Sequence, residues 1–92
     1  MPASYLEITL RIFGIKSLKE KRSIVKRLIN DLRSNFNISV VEIADQDSKD
    51  FITLGISLVS INKSHAYKSI ESIVEYIERY YTVENVYKEV YD

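Results

Sequence analysis

The chain contains no cysteine, which excludes disulfides, thiolate nucleophiles and cysteine metal sites and makes the reducing cytoplasm the expected compartment. Its single histidine, His65, has no second imidazole with which to share a metal and no thiol to activate. Proline occurs only at position 2 and glycine only at positions 14 and 55, so the sequence offers no flexible linker and no low-complexity segment. Long apolar runs are missing as well. Glu7, Arg11, Lys16 and Lys19 interrupt residues 1–20, leaving neither the apolar core of a signal peptide nor a spanning helix. A soluble protein with no membrane association is expected.

Net charge is also absent, since 13 Lys and Arg balance 13 Asp and Glu, but the balance hides an asymmetry. Residues 1–46 hold eight basic and five acidic side chains (+3), and residues 47–92 hold five and eight (−3). From Lys16 to Arg33 there are seven basic residues against Glu20 and Asp31, a local +5 that a partner would meet before it sensed the chain total.

Ninety-two residues suffice for one core and not two, so residues 1–92 are read as a single domain. Tyr5 to Phe13 alternates, with Leu6, Ile8, Leu10 and Ile12 on one face, and predicts a half-buried strand ended by Gly14. Ser17 followed three residues later by Glu20 forms a capping box, and Ile24, Val25, Leu28, Ile29 and Leu32 recur at helical spacing up to Asn35. Ile38 to Ala44 and Phe51 to Val59 are β-branched runs around the polar connection Asp45 to Asp50. Ser64 can cap a second helix that carries Ala66, Ile70, Ile73, Val74 and Ile77 on one side, and Val83 to Tyr91 forms a fourth strand. The order βαββαβ is that of an α+β, ferredoxin-like fold: a four-stranded antiparallel sheet with both helices on one face and the first and third strands in its centre. Leu10, Ile24, Leu28, Leu54, Ile56, Ile70 and Ile77 are the expected core.

Three segments together resemble a known family: Ser17-Leu18-Lys19-Glu20-Lys21-Arg22, then Phe36-Asn37-Ile38-Ser39-Val40-Val41-Glu42-Ile43, then Asp45-Gln46-Asp47. In this order and at this chain length they are similar to the YlxP-like family of small uncharacterised bacterial proteins. The resemblance covers nearly the whole chain. It implies a ferredoxin-like fold, no established enzymatic activity, and genes neighbouring those for translation initiation and ribosome-binding factors. This chain departs from the family's pattern at Ser48-Lys49-Asp50, where a bulky apolar residue and a basic one often follow the Asp-Gln-Asp element.

The most distinctive chemistry lies on the first helix. At about 100° per residue, Arg22, Lys26 and Arg33 fall within roughly 40° of one another, with Lys19 beside them. The four form a basic stripe suited to RNA phosphates, where each neutralised phosphate releases a counterion and adds affinity without sequence readout. A solvated helix face is the competing reading. Arg27, four residues before Asp31, suits an intrahelical ion pair. Lys21 falls near the centre of the apolar face, with its stem expected on the sheet and its ammonium at solvent or a carboxylate.

Other clusters carry less. Asp45, Asp47 and Asp50 miss the calcium-loop pattern, which needs Gly where Asp50 stands and Glu where Ile56 stands. Glu42 and Asp45 are expected to make structural pairings rather than act as an acid–base couple. Tyr76, Tyr80, Tyr81, Tyr87 and Tyr91 suit stacking, an oligomer contact or ordinary packing. Thr53, Gly55 and Ser57 replace the central-strand aromatics of an RNA-recognition domain. The sequence therefore predicts a non-catalytic cytoplasmic protein that binds RNA or a ribonucleoprotein surface through Lys19, Arg22, Lys26 and Arg33, with no metal and no cofactor. A homodimer is expected, and a homodimeric interaction module that ignores nucleic acid is the alternative reading. An acylphosphatase-like hydrolase shares the element order but lacks a glycine-rich phosphate loop with an Arg.

Overall fold

Alternation places Leu6, Ile8 and Leu10 at zero exposure on one face of the first strand, β1 (Ala3–Arg11), in the computed structural model, which describes residues 1–92. The strand begins two residues before the expected Tyr5 and ends before Phe13, which is exposed. Ile12 stays buried and its N–H reaches the Asp50 carbonyl at 2.8 Å, so the alternation outlives the strand by one residue. Gly14 then turns the chain at φ +71°, a backbone region that costs other residues a steric clash with Cβ.

Helix α1 (Leu18–Asn35) starts at the predicted cap. Ser17 Oγ accepts the Glu20 N–H at 3.1 Å, while Glu20 Oε2 accepts from Lys16 N–H at 3.2 Å rather than from Ser17. Strands β2 (Ser39–Ala44) and β3 (Phe51–Val59) form a hairpin whose turn is held by Ser48 Oγ, acceptor for the N–H groups of Asp50 and Phe51 at 3.1 Å each. Helix α2 (Lys63–Glu78) is capped by Asn62, whose Oδ1 accepts the His65 N–H at 2.8 Å. Ser64, the expected cap, lies inside the helix. The chain closes with β4 (Thr82–Tyr91).

The sheet order is β2-β3-β1-β4 with every neighbouring pair antiparallel, the ferredoxin-like arrangement expected from the element order. Right-handed crossovers put both helices on one face, where Val25, Leu28, Leu32, Ile70, Ile73 and Ile77 meet the even-numbered residues of β1 and β3. Six of the seven expected core residues are buried. Ile24 is half-buried because it sits on the flank of the α1 apolar face and packs against the core from its rim.

The opposite sheet face has no third layer. There Gly55 allows a close approach: a Cβ at this position would stand 2.8 Å from Ile43 Cγ2 and 3.3 Å from the Tyr5 hydroxyl. No helix is long and apolar enough to cross a membrane.

Candidate nucleic-acid interface

The α1 series at positions 21, 25, 28 and 32 faces the sheet, and the residues beside it face the open edge of β2. Arg22, Lys26 and Arg33 consequently line a groove of about 490 Å³ between α1 and β2, floored by Val25, Ile29 and Val40, with Val41 of the edge strand at its rim. All three basic side chains are exposed and none makes an ion pair within the molecule. Arg33 Nη2 donates to the Val40 carbonyl at 3.3 Å, anchoring the stripe to the edge strand and leaving the other guanidinium N–H groups free. Lys19 does not join them. It lies one turn towards the helix start, among Ser17, Glu20, Ser23 and Arg27, so the structure brings together three of the four expected residues.

The one acid lining the groove, Glu42, is already matched. Lys21 is fully buried and its Nζ stands 3.2 Å from Glu42 Oε2, whose side chain is 17% exposed. The contact is a close ion pair rather than an aligned hydrogen bond; the Lys21 ammonium donates instead to the Asp45 backbone carbonyl. Asp45 holds φ +60°, and its Oδ2 accepts from Thr53 Oγ1 at 2.6 Å, with Thr9 Oγ1 a further 3.2 Å from Thr53. Buried charge is tolerable only when paired, and this chain of contacts ties α1 to the tip of the β2–β3 hairpin. Of the two destinations expected for the Lys21 ammonium, the carboxylate is the one occupied. Glu42 and Asp45 each make structural pairings, with Lys21 and Thr53 as their partners.

The expected Arg27–Asp31 pair does not form. Asp31 Oδ2 instead accepts the Tyr76 hydroxyl at 2.7 Å, and Asp31 Oδ1 accepts from Asn35 Nδ2 at 3.2 Å. Tyr76 also sets its ring edge-on to Phe36 and Tyr80, with centroids 5.5 and 5.6 Å away, so it is an interhelical packing residue. The hydrogen bond to Asp31, with smaller contributions from desolvation and the nearby negative charge, pushes its pKa up to about 12.

The uncovered sheet face has the opposite electrostatic character. Tyr91 and Tyr87 each donate to Glu89 Oε2 at 2.7 Å, and Tyr5 donates to Glu7 Oε2 at 2.8 Å. Tyr91 and Tyr87 hold the Glu89 carboxyl below its usual range, and Glu7 and Glu89 put two carboxylates on this face against Arg11, a balance that disfavours phosphate. On the central strand β3 this face carries Thr53, Gly55 and Ser57, so the aromatics of an RNA-recognition domain are missing from that strand, and Tyr5 is the aromatic that central β1 contributes.

The sequence pattern described as "Protein of unknown function (DUF503)" matches residues 3–89. The chain belongs to the DUF503 family. This DUF503 protein is 30% identical over 80 residues to the "Uncharacterized protein YlxP" of Bacillus subtilis (strain 168), a match covering 87% of each chain. It is also similar to the "De novo designed protein Ferredog-Diesel", with TM-score 0.48 and 11% identity over 95% of this chain and 83% of that one. In this DUF503 protein the groove thus sets exposed cations along α1, and its one acid forms an ion pair with Lys21.

Sequence reasoning missed two parts of this arrangement. The β2 edge contributes Val40, Val41 and Glu42 to the groove, and Lys21 finds its counter-charge on β2. The second carried a signal. Glu42 shares the helix-facing parity of Val40, so two opposite charges stood on two buried faces.

Proposed function

We propose that this protein binds RNA, or the RNA surface of a ribonucleoprotein, without catalysing a reaction, by seating phosphates in the groove between α1 and β2. One observation carries the reading: Arg22, Lys26 and Arg33 line a single groove, and its only acid, Glu42, is held by Lys21. Three cations without internal counter-ions keep their full attraction for a polyanion, and binding releases the counterions condensed on it. Lys19 lies outside the groove, at the N-terminal end of α1, where it meets a backbone that continues past the groove. Contacts of this kind position a nucleic acid without reading its sequence.

The test is fluorescence anisotropy with a labelled single-stranded RNA. Arg22→Glu with Lys26→Glu is expected to abolish binding while the melting temperature stays near that of the parent, since both side chains are exposed. Lys68→Glu on α2 serves as the control. Equal binding by parent and double variant removes the groove as the site, and a parent that binds no RNA removes the function.

A second reading is a homodimer that shields part of the uncovered sheet face. It is favoured by the exposure of Val41, Val59 and Tyr87, which are 56%, 64% and 50% exposed. Sedimentation at micromolar concentration tests it, with only a 10.7 kDa species counting against it.

A further inference from the structure

The two edges of the sheet carry opposite charge, and each has a groove of the same size. Between α2 and β4 lies a second groove of about 490 Å³, lined by Glu71, Glu75 and Glu78 above Val74 and Val86. All three carboxylates are exposed and none makes an ion pair, although Lys88 lies in the same groove. Three cations stand unpaired on the β2 edge, and the β4 edge carries three unpaired anions against the one cation Lys88, a local −2.

We infer that the occupant of the acidic groove is a second copy of this chain, docked edge to edge so that Glu71, Glu75 and Glu78 meet the Arg22, Lys26 and Arg33 of its neighbour.

The topology supplies the orientation. β2 and β4 are the unpaired edges, and the three antiparallel pairings between them make β4 run opposite to β2. A copy laid with its β4 along the β2 of the next continues the antiparallel sheet and keeps all helices on one face. The ends match as well. α1 starts from the end of β1 at Arg11, and α2 delivers the chain to Thr82, which pairs with Arg11. Arg22 and Glu78 therefore sit at the same end of the sheet, and the order Arg22, Lys26, Arg33 faces the order Glu78, Glu75, Glu71. Docking would also cover Val41, Val86 and Tyr67, which are 56%, 36% and 50% exposed.

Charge decides between this arrangement and the two-fold alternatives. Pairing β2 with β2 sets cation against cation, and pairing β4 with β4 sets carboxylate against carboxylate, each a destabilising juxtaposition. The β2-to-β4 contact is heterologous and leaves one basic and one acidic edge free at the ends, so it grows by addition. RNA and a neighbouring copy would compete for the basic groove.

Sedimentation velocity of the full chain over a concentration series at low and high salt is the test. The parent is expected to associate at low salt and to return to monomer near 1 M salt, where the screening length is about 3 Å. Arg22→Glu with Lys26→Glu and Glu75→Lys with Glu78→Lys should each be monomeric, with far-ultraviolet dichroism showing both folded. Mixed in equal amounts they should associate again, because each reversed edge then meets a complementary one. The second variant keeps the basic groove and should still bind single-stranded RNA, which separates this proposal from the one above. A parent that stays monomeric at high protein concentration and low salt overturns the inference whatever its RNA binding. So does association that survives both charge reversals, which would place the contact on the uncovered sheet face.

Discussion

Tyr76 donates its hydroxyl hydrogen to Asp31 Oδ2 at 2.7 Å, a part-buried bond that joins α2 to α1. Both helices also pack their apolar faces into the shared core, and such contacts have no directional preference. The phenol therefore fixes their relative position with a charge-assisted contact, and Asn35 Nδ2, 3.1 Å from the same hydroxyl, extends the contact into the last turn of α1.

This bond makes stability depend on alkaline pH. The folded-state pKa of Tyr76, about 12, lies above the ordinary phenol value of 10.0, so the folded protein holds the proton more tightly than the unfolded chain. The stabilisation is complete below pH 10 and is lost as pH rises through about 12. Thermal melts across that window should show the parent losing stability to a greater degree than Tyr76→Phe. The variant should melt lower than the parent at pH 7.

The Lys21–Glu42 pair predicts an asymmetry between single and double replacements. Glu42→Ala leaves a fully buried ammonium without its carboxylate, for which about 3–5 kcal/mol is typical; the partial exposure of Glu42 favours the lower end. Lys21→Met combined with Glu42→Leu removes both charges and should be nearly neutral or stabilising. Urea denaturation of the three proteins would expose an error if the double variant proved the least stable.

Gly55→Ala tests the close approach on the uncovered face. Overpacking typically costs about 1–3 kcal/mol, against a gain of roughly 0.4–1 kcal/mol from a stiffer unfolded chain. Net destabilisation is expected, because Ile43 Cγ2 branches at Cβ and cannot swing aside as a chain end would. Adding Ile43→Ala should recover part of the loss. Additive effects in the double variant would mean the two positions do not touch.

The salt dependence of RNA binding counts phosphate contacts. Three groove cations correspond to a log–log slope of about −2 on a single strand, at roughly 0.7 per contact, and the contact of Lys19 beyond the groove brings it to about −3. Lys26→Gln should make the slope shallower by about that amount, measured by anisotropy across a sodium chloride series. An unchanged slope would show that Lys26 meets no phosphate.

Element order, sheet order and nearly all of the core were legible because period-two and helical repeats mark which face of each element is buried. The α2 cap was not. Asn62 and Ser64 are both good capping types, and the choice falls where the sheet releases the chain: Ser60 still donates its N–H to the Pro2 carbonyl at 2.9 Å, so the helix begins directly after it. The exclusion of Lys19 from the groove was hidden for a different reason. Angular position around α1 groups Lys19 with Arg22, but it says nothing of which residues β2 runs alongside. Arg27 and Asp31 have the spacing of an ion pair, yet the carboxylate is taken by a phenol 45 residues away, a competition that local spacing does not encode.

The buried pair also settles a question that apolar patterning leaves open. β2 carries apolar residues on both parities, with Val40 facing the helices and Val41 and Ile43 the other way. A slip of one position against β3 would still bury a branched aliphatic side chain, and hydrophobicity alone discriminates poorly between the two registers. Only one of them delivers Glu42 to Lys21. The slipped hairpin would strand an ammonium inside the protein beside an aliphatic group and turn its carboxylate to the far side. The contact that ties helix to hairpin thus acts as a proofreading device for strand alignment, penalising the misregistered fold more than it strengthens the native one.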